Sequence, residues 1–357
     1  MASLRDVARR AGVSVSTASK VLNGRMAHQH FGPDCIARIR EAATALRYTP
    51  NYLARSLASR RADSVGLLMG PGSMSANDFW GEVLWGLGEG LSATGQHLVT
   101  LSSRDGPEHL ALAHRFLQDG RIDGLVLLSF DERLVLPASL FKARRPVVLL
   151  GCAHRSAPTV AVDDEAGVAA AVRHLAELGH RRIAWYGPGD DEDSSCARRQ
   201  KACRRAAREA GLRLDERLFS WRPALGDRVR SRSQRRQIAS VCVACRAQAD
   251  LGSGATGIVC YDDLVAFGLY AAAAERGLRI PHDLSVVGFD DIHAEVVWPP
   301  LTTVSHMLRA VGQRAATLLQ ELIEDPTLRE AYAGRRELLQ PELVIRGSTA
   351  PPREPAG

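Results

Sequence analysis

Few groupings of residues in this 357-residue chain have the spacing that catalysis or metal binding requires. Cys242 and Cys245 form a CxxC. No second pair answers it and it falls in an alanine-rich helical stretch, so neither a tetrahedral zinc site nor a redox pair is expected. The acidic run GDDEDSS at 189–195 lacks both the alternating spacing and the glycine of a calcium-binding EF-hand loop. GLGEGL at 86–91 has the glycines of a dinucleotide loop, but it lies inside a helical pattern after Phe79 rather than directly after a strand. No nucleophile elbow, Walker loop or HExxH occurs. The expectation is a protein with no catalytic centre, no metal and no cofactor.

The chemistry that the residues do support is the recognition of a polyanion. Residues 1–61 hold eleven Lys/Arg against three Asp/Glu, a balance of +8, while the whole chain carries +6. The remainder is therefore near neutral, at −2 from 35 basic and 37 acidic side chains. A basic N-terminal sixth fits phosphate neutralisation and counterion release, although a solvated basic face would have the same composition.

The elements that would position those charges follow from apolar spacing. Leu4, Val7, Ala8 and Ala11 share one helical face, Gly12 supplies a sharp turn, and Ala18, Val21 and Leu22 share a second face, with Ser14 as its N-cap. This is a helix-turn-helix pattern, and it leaves Val15, Ser16, Ser19 and Lys20 on the outer face where base edges are read. A third helix over 34–47, started by Pro33, turns Ile36, Ile39, Ala43 and Leu46 inward.

Length and composition bound the rest. At roughly 100–200 residues per domain the chain has room for two or three domains, and its 45% apolar and 24% charged content is that of a globular protein. No run approaches the ~18 uncharged apolar residues of a membrane span, and the N-terminus has no apolar stretch. The seven cysteines are an odd number, so a complete disulfide framework is not available. A reducing cytoplasm and no membrane partner are expected.

With LRDVARRAGVSVSTASKVLN at 4–23 and TALRYTPNYLARSLASRRADSVGLL at 44–68, the chain resembles the LacI/GalR family of bacterial transcriptional repressors. The resemblance implies that Asn51 to Ala58 form a hinge helix, ordered on the operator, which pairs with its dimer mate in the minor groove; Leu57 matches the wedge that kinks the duplex. The implied DNA contacts are Val15, Ser16, Thr17, Ser19, Lys20, Asn23, Tyr48, Asn51, Ala54, Arg55 and Leu57. Val15 offers an apolar contact, Ser16 a hydrogen bond of low base preference, and Lys20 addresses guanine, which leaves discrimination to Lys20 and to DNA bendability. The loop GRMAHQH at 24–30 is longer than usual in the family.

Beyond Ser64 short apolar runs alternate with amphipathic segments. Strands are expected at 65–69, 97–101, 124–129, 146–151, 160–162, 182–187, 257–261 and 284–290. Helices are expected near 78–94, 107–118, 131–143, 164–178, 194–210, 228–248 and 263–276. Alternation of this kind makes two α/β subdomains with a cleft at the carboxyl ends of the strands. The fold class expected is therefore an all-α helix-turn-helix DNA-binding domain (1–48), a hinge (49–61) and an α/β core of two parallel-sheet subdomains (62–350), followed by a tail (351–357). The core resembles periplasmic sugar-binding proteins, through AVDDEAGVAAAVRHLAELGHRRIAWYGP at 161–188, GLRIPHDLSVVGFDDI at 277–292, PPLTTVSH at 299–306 and ELVIRGSTAPP at 342–352. Its first subdomain is expected to take 62–161 and 292–324, and its second 162–291 and 325–350.

The resemblance also implies ligand residues for a small-molecule, sugar-like effector. Asp290 matches the family's carboxylate and Arg198 its guanidinium, a pair that suits a polyhydroxylated ligand. Capping of a turn by Asp290, or solvation of Arg198 on a basic helix face, are the alternatives. Phe79, Trp80 and Trp221 are candidates to stack on the ligand or to pack in the core. Glu192 and Ser194 are candidate polar contacts, and Asp262 stands where many family members carry Asn. The partners implied are double-stranded operator DNA, the effector and a second copy of the chain; the tail after Ser348 has no leucine heptad for a tetramer. An α/β enzyme, or a small-molecule binding protein, with a DNA-binding appendage is the alternative function.

Overall fold

The computed structural model of the chain describes residues 2–22, 31–49, 56, 61–69, 78–101, 106–129, 135–142, 144–151, 153–188, 195–219 and 254–353. It divides into two compact units, Met1–Asp63 and Ser64–Gly357.

Among the described residues of the first unit, three helices pack around one small core. In α1, Leu4–Ala11, Ser3 and Asp6 form a reciprocal capping box, and Gly12 ends the helix at φ 68°. Ser14 caps α2, Val15–Leu22, by accepting the Thr17 N–H at 3.0 Å. In α3, Pro33–Ala45, proline takes the first turn, where its missing N–H costs no bond. Val7, Ala8, Ala18, Val21, Ile36 and Ile39 close the core. Leu46 packs against it from just beyond the helix, which ends earlier than residue 47.

Among its described residues the second unit has two six-stranded sheets. The first lobe follows the order β11-β5-β4-β3-β1-β2, all parallel. Its strands are β1 Ser64–Met69, β2 His97–Leu101, β3 Gly124–Ser129, β4 Val147–Gly151, β5 Thr159–Val162 and β11 Arg336–Leu339. Its helices are α4 Asp78–Ser92, α5 Gly106–Gln118, α6 Ala138–Phe141, α10 Leu308–Glu324 and α11 Leu328–Ala331. The second lobe follows β12-β10-β9-β8-β6-β7, in which β12 alone runs antiparallel to its neighbour. Its strands are β6 Arg182–Pro188, β7 Arg213–Phe219, β8 Gly257–Cys260, β9 Ser285–Asp290, β10 Thr302–Ser305 and β12 Glu342–Val344, with helices α7 Asp164–Glu177, α8 Ser195–Glu209 and α9 Asp263–Glu275.

Among the described residues the chain passes between lobes at Asp163, between β5 and α7; at His306–Met307, between β10 and α10; and at Gln340–Pro341, between β11 and β12. This path departs from the expected subdomain boundaries. β10 pairs with β9 in the second sheet, although 292–324 was expected in the first lobe, and β11 pairs with β5 in the first, although 325–350 was expected in the second. For β11 the physical reason is that it completes a sheet edge with a short strand of exposed and half-buried residues that leaves no apolar run to read; β10 is interior but buries Thr302 and Thr303 where an apolar run would stand.

Among the described residues of the helix expected over 131–143, which are 135–142, the helical turn is α6, and Pro137 at φ −66° stands as its N-cap and disfavours helix in the residue before it. The helix expected near 228–248, and with it Cys242 and Cys245, lies outside the described residues.

GLGEGL has a packing explanation. Gly86 and Gly90 of α4 and Gly312 of α10 face one another: a methyl group on Gly86 would overlap the Arg309 carbonyl, and one on Gly312 the Val83 carbonyl. The glycines let two helix backbones touch above the first sheet.

Candidate functional site

In the first unit, Val15, Ser16 and Lys20 are exposed on α2, with Val15 at 42% relative exposure. An apolar side chain that could turn inward stays outside because Ala18 and Val21 already fill the core face. Thr17 and Ser19 are half-buried. Thr17 is partly committed to the cap, its hydroxyl lying 2.8 Å from Ser14 Oγ. Tyr48 packs against the three-helix core, and its N–H bonds the Ala43 carbonyl at 2.9 Å. Asn23, Asn51, Ala54, Arg55 and Leu57 lie outside the described residues, as does the loop at 24–30.

In the second unit a cavity of about 470 Å³ opens at the carboxyl ends of the first-lobe strands and reaches the second lobe. Leu128 of β3, Leu150 of β4, Val160 and Val162 of β5, and Leu308 and Val311 of α10 line one wall, with Phe79 and Trp80 from the start of α4. The facing wall carries Asp164, Ser195, Arg198, Arg199, Tyr261, Asp290 and His306.

The polar wall is organised around Arg199, which is 5% exposed. Its Nε donates to Asp164 Oδ1 at 3.2 Å and its Nη1 to the Tyr261 carbonyl at 2.7 Å. Nη2 lies 2.9 Å from His306 Nε2, Asp290 Oδ1 is 3.7 Å from Nη1, and the guanidinium carbon stands 3.8 Å above the Phe289 ring. Burial alone would push the guanidinium toward losing its proton, but Asp164 and then Asp290 hold the proton more firmly than in water. Burial likewise favours a neutral Asp164, yet Arg199 and His306 hold its carboxyl well below the usual range. Burial lowers the His306 imidazole pKa, and the hydrogen bonds of Asp164 and Asp290 outweigh it, so the ring holds its proton above the ordinary value.

The expected ligand residues are distributed as follows. Asp290, at φ 113°, ends β9 on the cavity wall in a backbone conformation that L-residues rarely adopt, the kind of strain that collects at functional sites. Arg198 also lines the cavity, but it is the outer of two adjacent arginines, with a side chain 30% exposed and 3.6 Å from Asp164 Oδ2. Phe79 and Trp80 meet edge to face at 4.8 Å on the wall. Asp262 is buried outside the cavity lining and accepts the Val265 N–H at 2.8 Å as the N-cap of α9. Glu192, Ser194 and Trp221 lie outside the described residues.

Arg199, Asp164 and His306 escaped the sequence reading. A signal existed for Arg199: the buried stripe of α8 runs Cys196, Arg199, Cys203, Ala206, at three- and four-residue steps, so the arginine stands where an apolar residue belongs. Two of the described crossings supply members of the cluster, Asp164 next to Asp163 and His306 itself.

A helix-turn-helix unit joined in one chain to a two-lobed α/β core with a charged cleft at its crossings defines a DNA-binding regulator with a small-molecule pocket. Comparisons with known proteins agree. Residues 3–51 match the model for bacterial regulatory proteins of the LacI family, and residues 172–349 match that for a periplasmic binding protein-like domain. The chain is 30% identical to the HTH-type transcriptional repressor PurR of Photobacterium profundum over 352 residues, 98% of each chain. It is 31% identical to the HTH-type transcriptional regulator CelR of Thermobifida fusca over 352 residues, 97% of each. A solved CelR–cellobiose complex aligns at TM-score 0.64 and 26% identity over 98% of this chain and 100% of that one. The Lac repressor bound to ONPG aligns at TM-score 0.71 and 25% identity over 98% and 99%. The chain belongs to the LacI family of bacterial regulatory proteins. It is accordingly a DNA-binding transcriptional regulator of the repressor kind and not an enzyme. Among the described residues no helix is long and apolar enough to cross a membrane.

Proposed function

We propose that the protein represses transcription in the cytoplasm as a homodimer on an inverted-repeat operator, and that a small sugar-like effector in the cleft changes its hold on that operator. The observation that carries this reading is the cavity whose polar wall is built at the lobe crossings, since a ligand there touches the segments that must move when the lobes open or close. CelR with cellobiose and the Lac repressor with ONPG are relatives with sugar-type ligands, which supports the effector class. Two-fold symmetry of a dimer would match the symmetry of the operator. Exposed apolar groups on the core, Trp85 at 62% and Trp298 at 88%, support burial against a second copy. Val15, Ser16 and Lys20 are assigned to base edges, and Phe79, Trp80, Arg198 and Asp290 to the effector, with Arg199 and His306 added. By linkage, effector and operator alter one another's affinity by the same factor.

The test is to capture sheared genomic DNA from the source organism with the purified protein at moderate salt, with and without cell metabolites, and to sequence the retained fragments. Enrichment of a short inverted repeat, altered by metabolites, is expected. Retention without any shared repeat under both conditions would refute sequence-specific regulation.

A further inference from the structure

The amino ends of the first-lobe strands, at the far side of the sheet from the cleft, hold a small cavity of about 40 Å³. Val147 at the start of β4, Pro158 just before β5 and Leu322 near the end of α10 frame it, and its polar groups are Arg145, Arg329 and Ser156. The cleft begins at Leu150 and Gly151, at the other end of β4, so roughly 13 Å of extended chain separates the two.

Two guanidiniums line this cavity and, among the described residues, no carboxylate does. Arg145, with a side chain 21% exposed, is paired with Asp123, which is buried. Arg329, half-buried on α11, has no such partner. Its Nε donates to the Leu322 carbonyl at 3.4 Å and its Nη1 to the Arg144 carbonyl, and among the described residues it forms no ion pair. Asp325, an acid close to it along the chain, is committed to its own turn, accepting from the Thr327 N–H at 2.9 Å and from the Thr327 hydroxyl. The two carbonyls fix the direction of the Arg329 fork and leave its charge uncancelled. Burial, and then the charge of Arg145, make this guanidinium easier to deprotonate than in water. The same imbalance is felt next door: burial and Arg155 lower the pKa of His154, whose ring stacks on the cavity residue Phe141 at 4.5 Å. Ser156 gives its N–H to His154 Nδ1 at 3.1 Å and keeps its hydroxyl uncommitted among the described residues. Taking a cation out of water without a counter-charge is costly, so the arrangement lacks an anion. Two guanidinium forks and a hydroxyl around a space of this size are the donor set for one oxyanion.

We propose that this cavity is a second ligand site, separate from the cleft, for a phosphoryl group held by Arg329 and Arg145 with Ser156 as a third donor. The space takes the phosphoryl and nothing larger. The ligand is therefore inorganic phosphate, or the terminal phosphate of a monoester whose remainder projects past exposed Ser156.

The experiment titrates full-length protein with inorganic phosphate, with methyl phosphate, and with chloride at matched ionic strength, by calorimetry and by thermal melting. Saturable phosphate binding at or below about 1 mM is expected, with a rise in Tm of roughly 3 °C at ten times Kd and none with chloride. Arg329→Gln should weaken phosphate by at least about tenfold. Ser156→Glu brings a carboxylate of the chain itself into the cavity from an exposed position; it should melt higher than the parent without phosphate and lose the response to phosphate. This second variant decides the matter if Arg329→Gln folds poorly. Equal binding of phosphate and methyl phosphate supports the site with the free oxyanion as ligand, and tighter binding of the ester supports it with a phosphorylated metabolite. A phosphate response unchanged in both variants would place the anion elsewhere, such as on the basic N-terminal unit, and overturn the proposal. So would the absence of a saturable response in the parent up to about 10 mM.

Discussion

Replacing Arg199 with methionine removes the guanidinium while keeping a long apolar stem over Phe289. The arginine is 5% exposed and meets Asp164 at 3.2 Å, Asp290 at 3.7 Å and the Tyr261 carbonyl at 2.7 Å. Its loss strands two partly or wholly buried carboxylates and one carbonyl. Breaking a buried pair from one side costs about 3–5 kcal/mol, and the methionine packing recovers little because the charges remain. For a large domain each kcal/mol lowers Tm by roughly 2–4 °C, so a fall of roughly 10 °C at neutral pH is expected. The pH dependence separates lost charge from lost packing. Asp164 in the parent is held below its ordinary value of 3.8, so its contribution is present above that value and is lost only as pH falls through the lower folded one. Without Arg199 the carboxylate titrates higher and can neutralise itself in mild acid, so the gap between parent and variant should narrow from pH 7 to pH 5. Melts of the full chain by circular dichroism and by tryptophan fluorescence across that range supply the comparison, with Arg198→Met, 30% exposed on its side chain, as the control expected to change stability by less than about 1 kcal/mol. A loss for Arg199→Met under about 1 kcal/mol, or one independent of pH, would refute the claim that this arginine neutralises the wall.

Asp262 is pushed up to about 7 by burial and by the charge of Asp290, so its share of stability is present below the ordinary 3.8 and drains away as pH rises through 7; Asp262→Asn, which keeps a capping oxygen, should match the parent at low pH and melt higher at pH 8, and equal melting at pH 8 would contradict this. His306 has a raised pKa in spite of burial, so its contribution is complete below about 6.5 and is lost as pH rises through the raised value. His306→Gln should remove that decline in melts between pH 6 and 8, and an unchanged slope would count against it. Gly312→Val drives a side chain into the Val83 carbonyl, and a urea melt should show a loss of about 1–3 kcal/mol; no loss would mean that α4 and α10 do not touch. Lys20→Ala should weaken operator binding, lowering the salt slope by about 1 if the ammonium meets phosphate, or relaxing base choice by about 1–3 kcal/mol if it meets guanine; filter binding at several salt concentrations distinguishes these, and no effect removes Lys20 from the interface.

The helix-turn-helix was legible because each device in it is local. Gly12, Ser14 and Pro33 each do in the structure what their chemistry dictates one turn away. The central strands were legible for a different reason: buried on both faces, they read as unbroken apolar runs such as VGLLM and GLVLLS. β7, β11 and β12 lie at sheet edges, where half of each strand meets solvent, and sequences such as RLDERLF carry no such run. β10 is interior but buries Thr302 and Thr303, which are satisfied by partners far away in sequence: Thr303 donates to Asp263 Oδ1 at 2.6 Å and the Thr302 N–H bonds Ser348 Oγ at 2.7 Å. No local pattern announces a buried polar residue whose partner is 40 positions off.

The same logic explains why Arg198 was legible and its neighbour Arg199 was not. Arg198 and Arg199 are adjacent, yet on a helix adjacent residues point about 100° apart, so one lines the rim and the other enters the core stripe of α8. Composition marks the helix as basic, and only the period of its buried face tells which guanidinium leaves water. Once Arg199 is inside, the rest of the wall is constrained, since an unpaired buried cation is too costly to persist. Carboxylates must come to it, and those available lie where the chain crosses between lobes and where β9 ends. His306, on the second crossing, faces Arg199 at 2.9 Å and Asp164 at 3.3 Å through the same nitrogen. A neutral ring accepts from the arginine there, and a protonated ring donates to the carboxylate. A ligand that engages the other ring nitrogen biases that choice, and so acts on the segment where the second lobe hands the chain back to the first.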